Sequence, residues 1–182
     1  MAINSKIKMK KVLSLVLICS FLVACSTDNP DDIAPELINN GFTMNNLFLE
    51  TEYVYVNDEN VENNEPSDIA IIMSNLDILN SNQNSGVNFV YFDFKGVEIQ
   101  EGIINEIPDY RIVTNASVNN GQITDGTVVL DDTTNGKQAI STTVEIISVS
   151  NSEIEFEFNF TKENGTIIKG SYSGSFSSVE QS

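Results

Sequence analysis

From residue 47 onward, apolar and polar side chains alternate with a period of two. That is the period of a β-strand, whose successive side chains point to opposite faces. The cleanest stretch is Glu153-Ile154-Glu155-Phe156-Glu157-Phe158-Asn159-Phe160. Ile154, Phe156, Phe158 and Phe160 fall on one side, and Glu153, Glu155, Glu157 and Asn159 on the other. This predicts a strand with one face in a core and one in water. Wound as a helix, the same residues would scatter their apolar groups around the whole circumference. Asn164-Gly165 follows, and both residue types tolerate the positive φ of a tight hairpin turn. The predicted return strand, 166–176, puts Ile168, Tyr172 and Phe176 on one face with Gly170 and Gly174 between them. Those glycines predict a bend, or close packing beneath an aromatic ring.

The preceding strand is predicted over 138–149. There Ile140, Val144 and Ile146 alternate before the phase slips to Ile147 and Val149, the mark of a β-bulge near Ile146-Ile147. With Asn151-Ser152 as the next turn, these three strands make an antiparallel meander. Further strands are predicted at 47–56, 69–74, 87–95, 97–104, 110–113 and 127–130. Phe89-Val90-Tyr91-Phe92-Asp93-Phe94 is apolar on both faces, as a central or doubly covered strand should be. Lys95-Gly96 and Asn135-Gly136 read as turns, 57–68 and 80–86 as polar loops, and 76–80 as a single helical turn. No long amphipathic helix is present in the pattern. The expectation is an all-β fold: a single antiparallel meander of about nine or ten strands, arranged as a β-sandwich or a calycin-like barrel.

The first 25 residues follow another logic. Lys6, Lys8, Lys10 and Lys11 precede an apolar run, 12–24, broken only by Ser14, Cys19 and Ser20. The run is short for a membrane span and fits a cleaved secretory signal. It ends in Leu22-Val23-Ala24-Cys25, which resembles the lipobox of bacterial lipoproteins. The resemblance implies diacylglycerol on the Cys25 thiol, cleavage before Cys25, and a membrane partner engaged through acyl chains on Cys25. Residues 1–24 are then signal peptide, 25–40 a lipidated cysteine with an acidic flexible tether, and 41–182 a β domain. Cys25-Ser26-Thr27-Asp28-Asn29-Pro30-Asp31-Asp32 is similar to the acidic export signal of Bacteroidota surface lipoproteins. That implies an outer-membrane protein displayed at the cell surface, the periplasm-facing leaflet being the alternative. Ile168-Lys169-Gly170-Ser171-Tyr172-Ser173-Gly174-Ser175-Phe176, within 143–176, resembles the closing strand of uncharacterised β domains in that group. The resemblance covers about a fifth of the chain and brings no catalytic residue with it.

Composition narrows the chemistry. Hydrophobic residues make up 41 % of 182, enough for a core. Without histidine, Ser–His and Cys–His pairs and histidine-bearing zinc or haem sites are excluded. The formal charge is −17, with 9 basic and 26 acidic residues. Cleavage before Cys25 removes four lysines and no acid. Lys95, Arg111, Lys137, Lys162 and Lys169 then face all 26 acids, a net of −21, and no second cysteine remains for a disulfide. A chain so acidic is no partner for nucleic acid.

Carboxylates are the abundant reactive groups. Glu153, Glu155 and Glu157 share a strand face, but such a row fits a solvated, aggregation-resistant surface better than a glycosidase pair. Asp131-Asp132-Thr133-Thr134-Asn135-Gly136 resembles the start of a calcium loop, yet position 142 is threonine where a glutamate is needed, so a hairpin turn fits better. Asp132-Thr133-Thr134 resembles a Bacteroidota O-glycosylation site. Phe89, Tyr91, Phe92, Phe94, Phe156, Phe158, Phe160 and Tyr172 would line the interior of a barrel-type carrier, or fill an ordinary core. The sequence thus predicts a non-enzymatic, lipid-anchored binding protein for a protein, glycan or small ligand. A carrier of a small apolar ligand is the alternative, and a carboxylate enzyme acting on glycans the third reading. Cys25 is the one assigned site residue, with no catalytic residue, metal or cofactor.

Overall fold

The computed structural model describes residues 39–58 and 65–179, and these form two open β-sheets with no helix among them. The lipobox, most of the tether and the middle of the acidic 57–68 loop lie outside the described residues. In chain order the strands are β1 (Gly41–Met44), β2 (Leu47–Glu50), β3 (Tyr53–Asp58), β4 (Ser67–Ser74), β5 (Gln83–Gly96), β6 (Gly102–Ile104) and β7 (Asp109–Asn119). They continue with β8 (Gln122–Thr124), β9 (Thr127–Asp131), β10 (Ala139–Val149), β11 (Glu153–Lys162), β12 (Ile167–Ser175) and β13 (Ser177–Ser178). One sheet runs β2-β1-β12-β11-β10-β6. The other runs β13-β3-β4-β5-β7-β8, with β9 also paired to β7. The fold is therefore a sandwich and not a closed barrel.

The predicted meander is present as β10-β11-β12, but the rest of the chain passes between layers instead of continuing it. The predicted strand 47–56 is two strands in different sheets. Its break is at Thr51-Glu52, where the Thr51 amide donates to Asn40 O (3.0 Å) beside the first sheet and the Glu52 amide to Ser74 O (3.0 Å) in the second. Lys95-Gly96 is not a turn. It ends β5, paired with Asp68 and Ser67 of β4, and only β6 remains of the predicted 97–104 strand. The 76–80 segment is a turn held by Asp77, whose Oδ1 accepts from the amides of Leu79 (3.2 Å) and Asn80 (3.3 Å). At Asn164-Gly165 only Gly165 has positive φ, 80°. Its amide donates to Lys162 O, and the Lys162 amide to Thr166 O, making a three-residue loop.

The core lies between the sheets. Phe92 of β5 meets Phe156, Phe158 and Phe160 of β11 at ring-centroid distances of 5.8, 5.9 and 6.1 Å. Such contacts add about 0.5–1.5 kcal/mol each beyond the burial of the rings. Two polar ties cross the same gap. The Ala139 amide of β10 donates to the Tyr110 hydroxyl of β7 (2.9 Å), and Lys162 Nζ of β11 donates to Val129 O of β9 (2.9 Å). The second sheet is covered on its other face as well, where Tyr55, Ile78, Val87, Val113, Ala116 and Val118 form a smaller cluster. This explains why β5 is apolar on both faces. Tyr55 pins the cover by donating to Asp77 Oδ1 (2.8 Å) and accepting from the Ile78 amide (3.2 Å).

Candidate functional site: a carboxylate-lined cleft on the second sheet

Strand register builds a row of side chains across the outer face of the second sheet. Ile72 of β4 pairs with Tyr91 of β5, Tyr91 with Arg111 of β7, and Arg111 with Asp131 of β9. The neighbouring row is Ala70, Asp93 and Asp109. Tyr91, Arg111, Asp109, Asp131 and Asp132 border a cleft of about 410 Å³, with Ile78, Phe89 and Ile123 as its apolar lining. This volume is within the range of small-molecule sites. Beyond Asp132, a wider polar groove continues along Pro108, Gln138 and Thr142.

The carboxylates are not equivalent. Asp131 is spoken for. Its Oδ1 accepts from the Thr133 hydroxyl (2.8 Å) and from the amides of Thr133 (3.1 Å) and Thr134 (2.8 Å). Its Oδ2 is 3.5 Å from Arg111 Nε. Burial works against its ionised form, but the Thr133 and Thr134 donors outweigh this and hold Asp131 below the usual carboxylate range. Asp93 is in the opposite position. It is only 7 % exposed, and its Oδ2 accepts from the Tyr91 hydroxyl (3.0 Å). Its Oδ1 is buried, and the Asp109 backbone N–H beside the carboxyl favours the ionised form. Burial raises Asp93 above the ordinary value, and raises the Tyr91 phenol likewise. Asp109 is pushed up to about 6, first by loss of water and then by the charges of Asp132 and Asp93. Asp109 and Asp132 therefore border a cleft whose arginine is already turned toward Asp131, and Asp93, the register partner of Asp109, is not part of its lining.

The residues singled out from the sequence fall elsewhere. Cys25 is outside the described residues. Glu153, Glu155 and Glu157 stand on the outward face of β11 opposite Ser175, Ser173 and Ser171, and none borders the cleft. The Asp131–Gly136 segment is a turn, closed by the Lys137 amide donating to Thr134 O (2.9 Å). Among the described residues no three acidic or cysteine side chains are disposed to hold a metal ion. Thr133 and Thr134 are exposed at that turn. The eight aromatics do not line one space. Phe92, Phe94, Phe156, Phe158, Phe160 and Tyr172 pack in the core between the sheets, while Phe89 and Tyr91 belong to the outer face.

The cleft was missed by sequence reasoning. The one local signal beside it is Asp93, the register partner of Asp109 and a lone charge within the apolar run 89–94. A carboxylate there has to find special company or stay protonated. Comparison with protein-family models, curated proteins and solved structures finds no match to this chain.

Proposed function

We propose that the chain is a lipoprotein anchored in the outer membrane through acyl chains on Cys25, displayed at the cell surface, with the β-sandwich as a non-enzymatic binding module. The observation that carries this reading is Leu22-Val23-Ala24-Cys25, placed directly after a lysine-rich start and a short apolar run. The acidic stretch behind Cys25 supports outer-leaflet display, and the concave outer face of the second sheet supports binding as the domain's role.

Metabolic labelling with an alkyne fatty acid tests the anchor in Bacteroidota cells expressing the full chain. The wild-type protein should carry the label and partition with membranes. Cys25→Ala should lose the label and stay uncleaved. A labelled Cys25→Ala protein would overturn the assignment. Protease applied to intact cells tests display. The domain should be cut together with outer-leaflet controls, and protection would place it in the periplasm-facing leaflet.

A further inference from the structure

We propose that Asn135-Gly136, in the turn between β9 and β10, is a self-modification site: Asn135 loses its side-chain nitrogen as ammonia and becomes aspartate or isoaspartate, while the fold protects the other three Asn-Gly pairs of the chain.

The chemistry belongs to the residue pair. The backbone nitrogen of a glycine that follows asparagine can attack the asparagine Cγ. An N–C bond forms and closes a five-membered succinimide, the Cγ–Nδ2 bond breaks, and ammonia leaves with the glycine amide proton. Water then adds to one of the two ring carbonyls. Opening at one gives aspartate. Opening at the other gives isoaspartate, whose backbone runs through the former side chain. One water enters, one ammonia leaves, and nothing is oxidised or reduced. Glycine suits the step because it has no Cβ to hinder the approach and leaves the backbone room to swing. Where the glycine amide is donating, or the asparagine side chain is held, the pair reacts only after local opening.

Four Asn-Gly pairs occur in the sequence, at Asn40, Asn120, Asn135 and Asn164. Three are tied down. Asn40 Nδ2 donates to Ser173 O (3.2 Å), its Oδ1 accepts from the Ser173 amide (2.9 Å), and Gly41 is buried at the start of β1. Asn120 and Gly121 are the two residues of a tight turn, at φ of 48° and 78°, closed by the pairing of Asn119 with Gln122. The Asn120 amide is also held by Asn82 Oδ1 (3.0 Å). Asn164 Oδ1 accepts from the Thr166 amide (3.0 Å), and the Gly165 amide donates to Lys162 O (2.9 Å). Asn135 and Gly136 differ from all of these. Both are exposed, and a Cβ on Gly136 would meet nothing within 4 Å. Among the described residues, neither the Asn135 side chain nor the Gly136 amide has a hydrogen-bond partner. The turn is closed around them by the Lys137 amide on Thr134 O (2.9 Å), which leaves the reacting atoms unengaged.

The consequence reaches the rim of the cleft. The same turn holds Asp131, through the Thr133 and Thr134 amides and through the Asp131 amide on Lys137 O (3.1 Å). Either product adds a carboxylate to the turn that carries Asp131 and Asp132. Isoaspartate also lengthens the backbone between Thr134 and Lys137 by a methylene.

The test ages the purified full chain, in neutral detergent and mildly alkaline water enriched in heavy oxygen, and maps its peptides by mass spectrometry at intervals. Asn135 should exchange its nitrogen for labelled oxygen about tenfold faster than Asn40, Asn120 or Asn164, giving aspartate and isoaspartate together. The chain unfolded in urea should lose that ranking, with all four pairs reacting at comparable rates. Asn135→Gln should remove the fast phase of ammonia release and leave the other three sites unchanged. Equal or faster reaction at any of those three in the folded chain, no reaction at Asn135, the same ranking in urea, or a fast phase that persists in Asn135→Gln would each overturn the proposal.

Discussion

Gly126 and Gly136 have almost the same backbone, with φ of 79° and 75°, but different surroundings. A Cβ on Gly136 would meet nothing within 4 Å. A Cβ on Gly126 would lie 2.8 Å from Ala116 Cα and 2.9 Å from Thr114 O, backbone atoms of the paired strand that cannot step aside. Gly136→Ala should therefore cost only the left-handed backbone strain, roughly 1–2 kcal/mol. Gly126→Ala should cost that plus about 1–3 kcal/mol of overpacking. Thermal melts of the two variants separate the contributions, and equal losses would refute the close-approach argument. Gly170 is a third case, governed by space alone. A Cβ there would sit 2.5 Å from the Phe158 ring, which fits the expectation from sequence that a glycine in this strand underlies an aromatic.

At the scale of elements, the bulge at Ile147 in β10 was legible, whereas a second irregularity between Ala139 and Ser141, which leaves Ile140 exposed instead of on the face of Val144 and Ile146, and those of β5 and β7 were not. Ile146 pairs with Phe156 and Ser148 with Glu155, leaving Ile147 as the extra residue the slipped phase demanded. Deleting Ile147 should keep Val144 and Val149 on their present faces and lower the melting temperature only modestly. Deleting Glu157 should do far worse. It pairs in register with Glu145 on one side and Ser171 on the other, so one half of β11 would turn its phenylalanines to water. Comparable melting temperatures for the two deletions would contradict the assigned register. In β5 and β7 the ladder is interrupted between Gln83 and Phe89, and asparagine side chains replace backbone partners there. Asn75 Oδ1 accepts from the Asn88 amide (2.8 Å), and Asn115 Oδ1 accepts from the Gly86 amide (3.0 Å). A run such as Gln83-Asn84-Ser85-Gly86 reads as loop because nothing local announces that distant asparagines will satisfy its amides. The Thr51-Glu52 crossing is hidden for the opposite reason, since the residues on both sides of it are strand.

For the whole molecule, local pattern predicted two buried-face strands and their turns, but the cleft depends on registers among four strands. Tyr91, Arg111 and Asp131 are far apart in sequence and become neighbours only through pairing. The acids were legible as a total and not as an arrangement, and the arrangement sets the response to pH. Asp109 has an ordinary value of 3.8 and is raised to about 6 in the fold. Between these values the folded protein holds a proton that the unfolded chain has released, so stability falls as pH rises through that window. Asp93, also raised, adds in the same direction. Asp131 is lowered, and its stabilising contribution is lost only on acidification below the ordinary carboxylate range. The melting temperature should therefore rise as pH is lowered from 7 toward 5. Asp109→Asn should raise the melting temperature at pH 7, flatten the profile between about 4 and 6, and make little difference at its acid end. Circular-dichroism melts of both proteins across that range check this. A variant less stable than wild type at pH 7, or an unchanged slope, would mean that Asp109 is ionised in the fold at no cost and that the charges of Asp132 and Asp93 do not act on it as described.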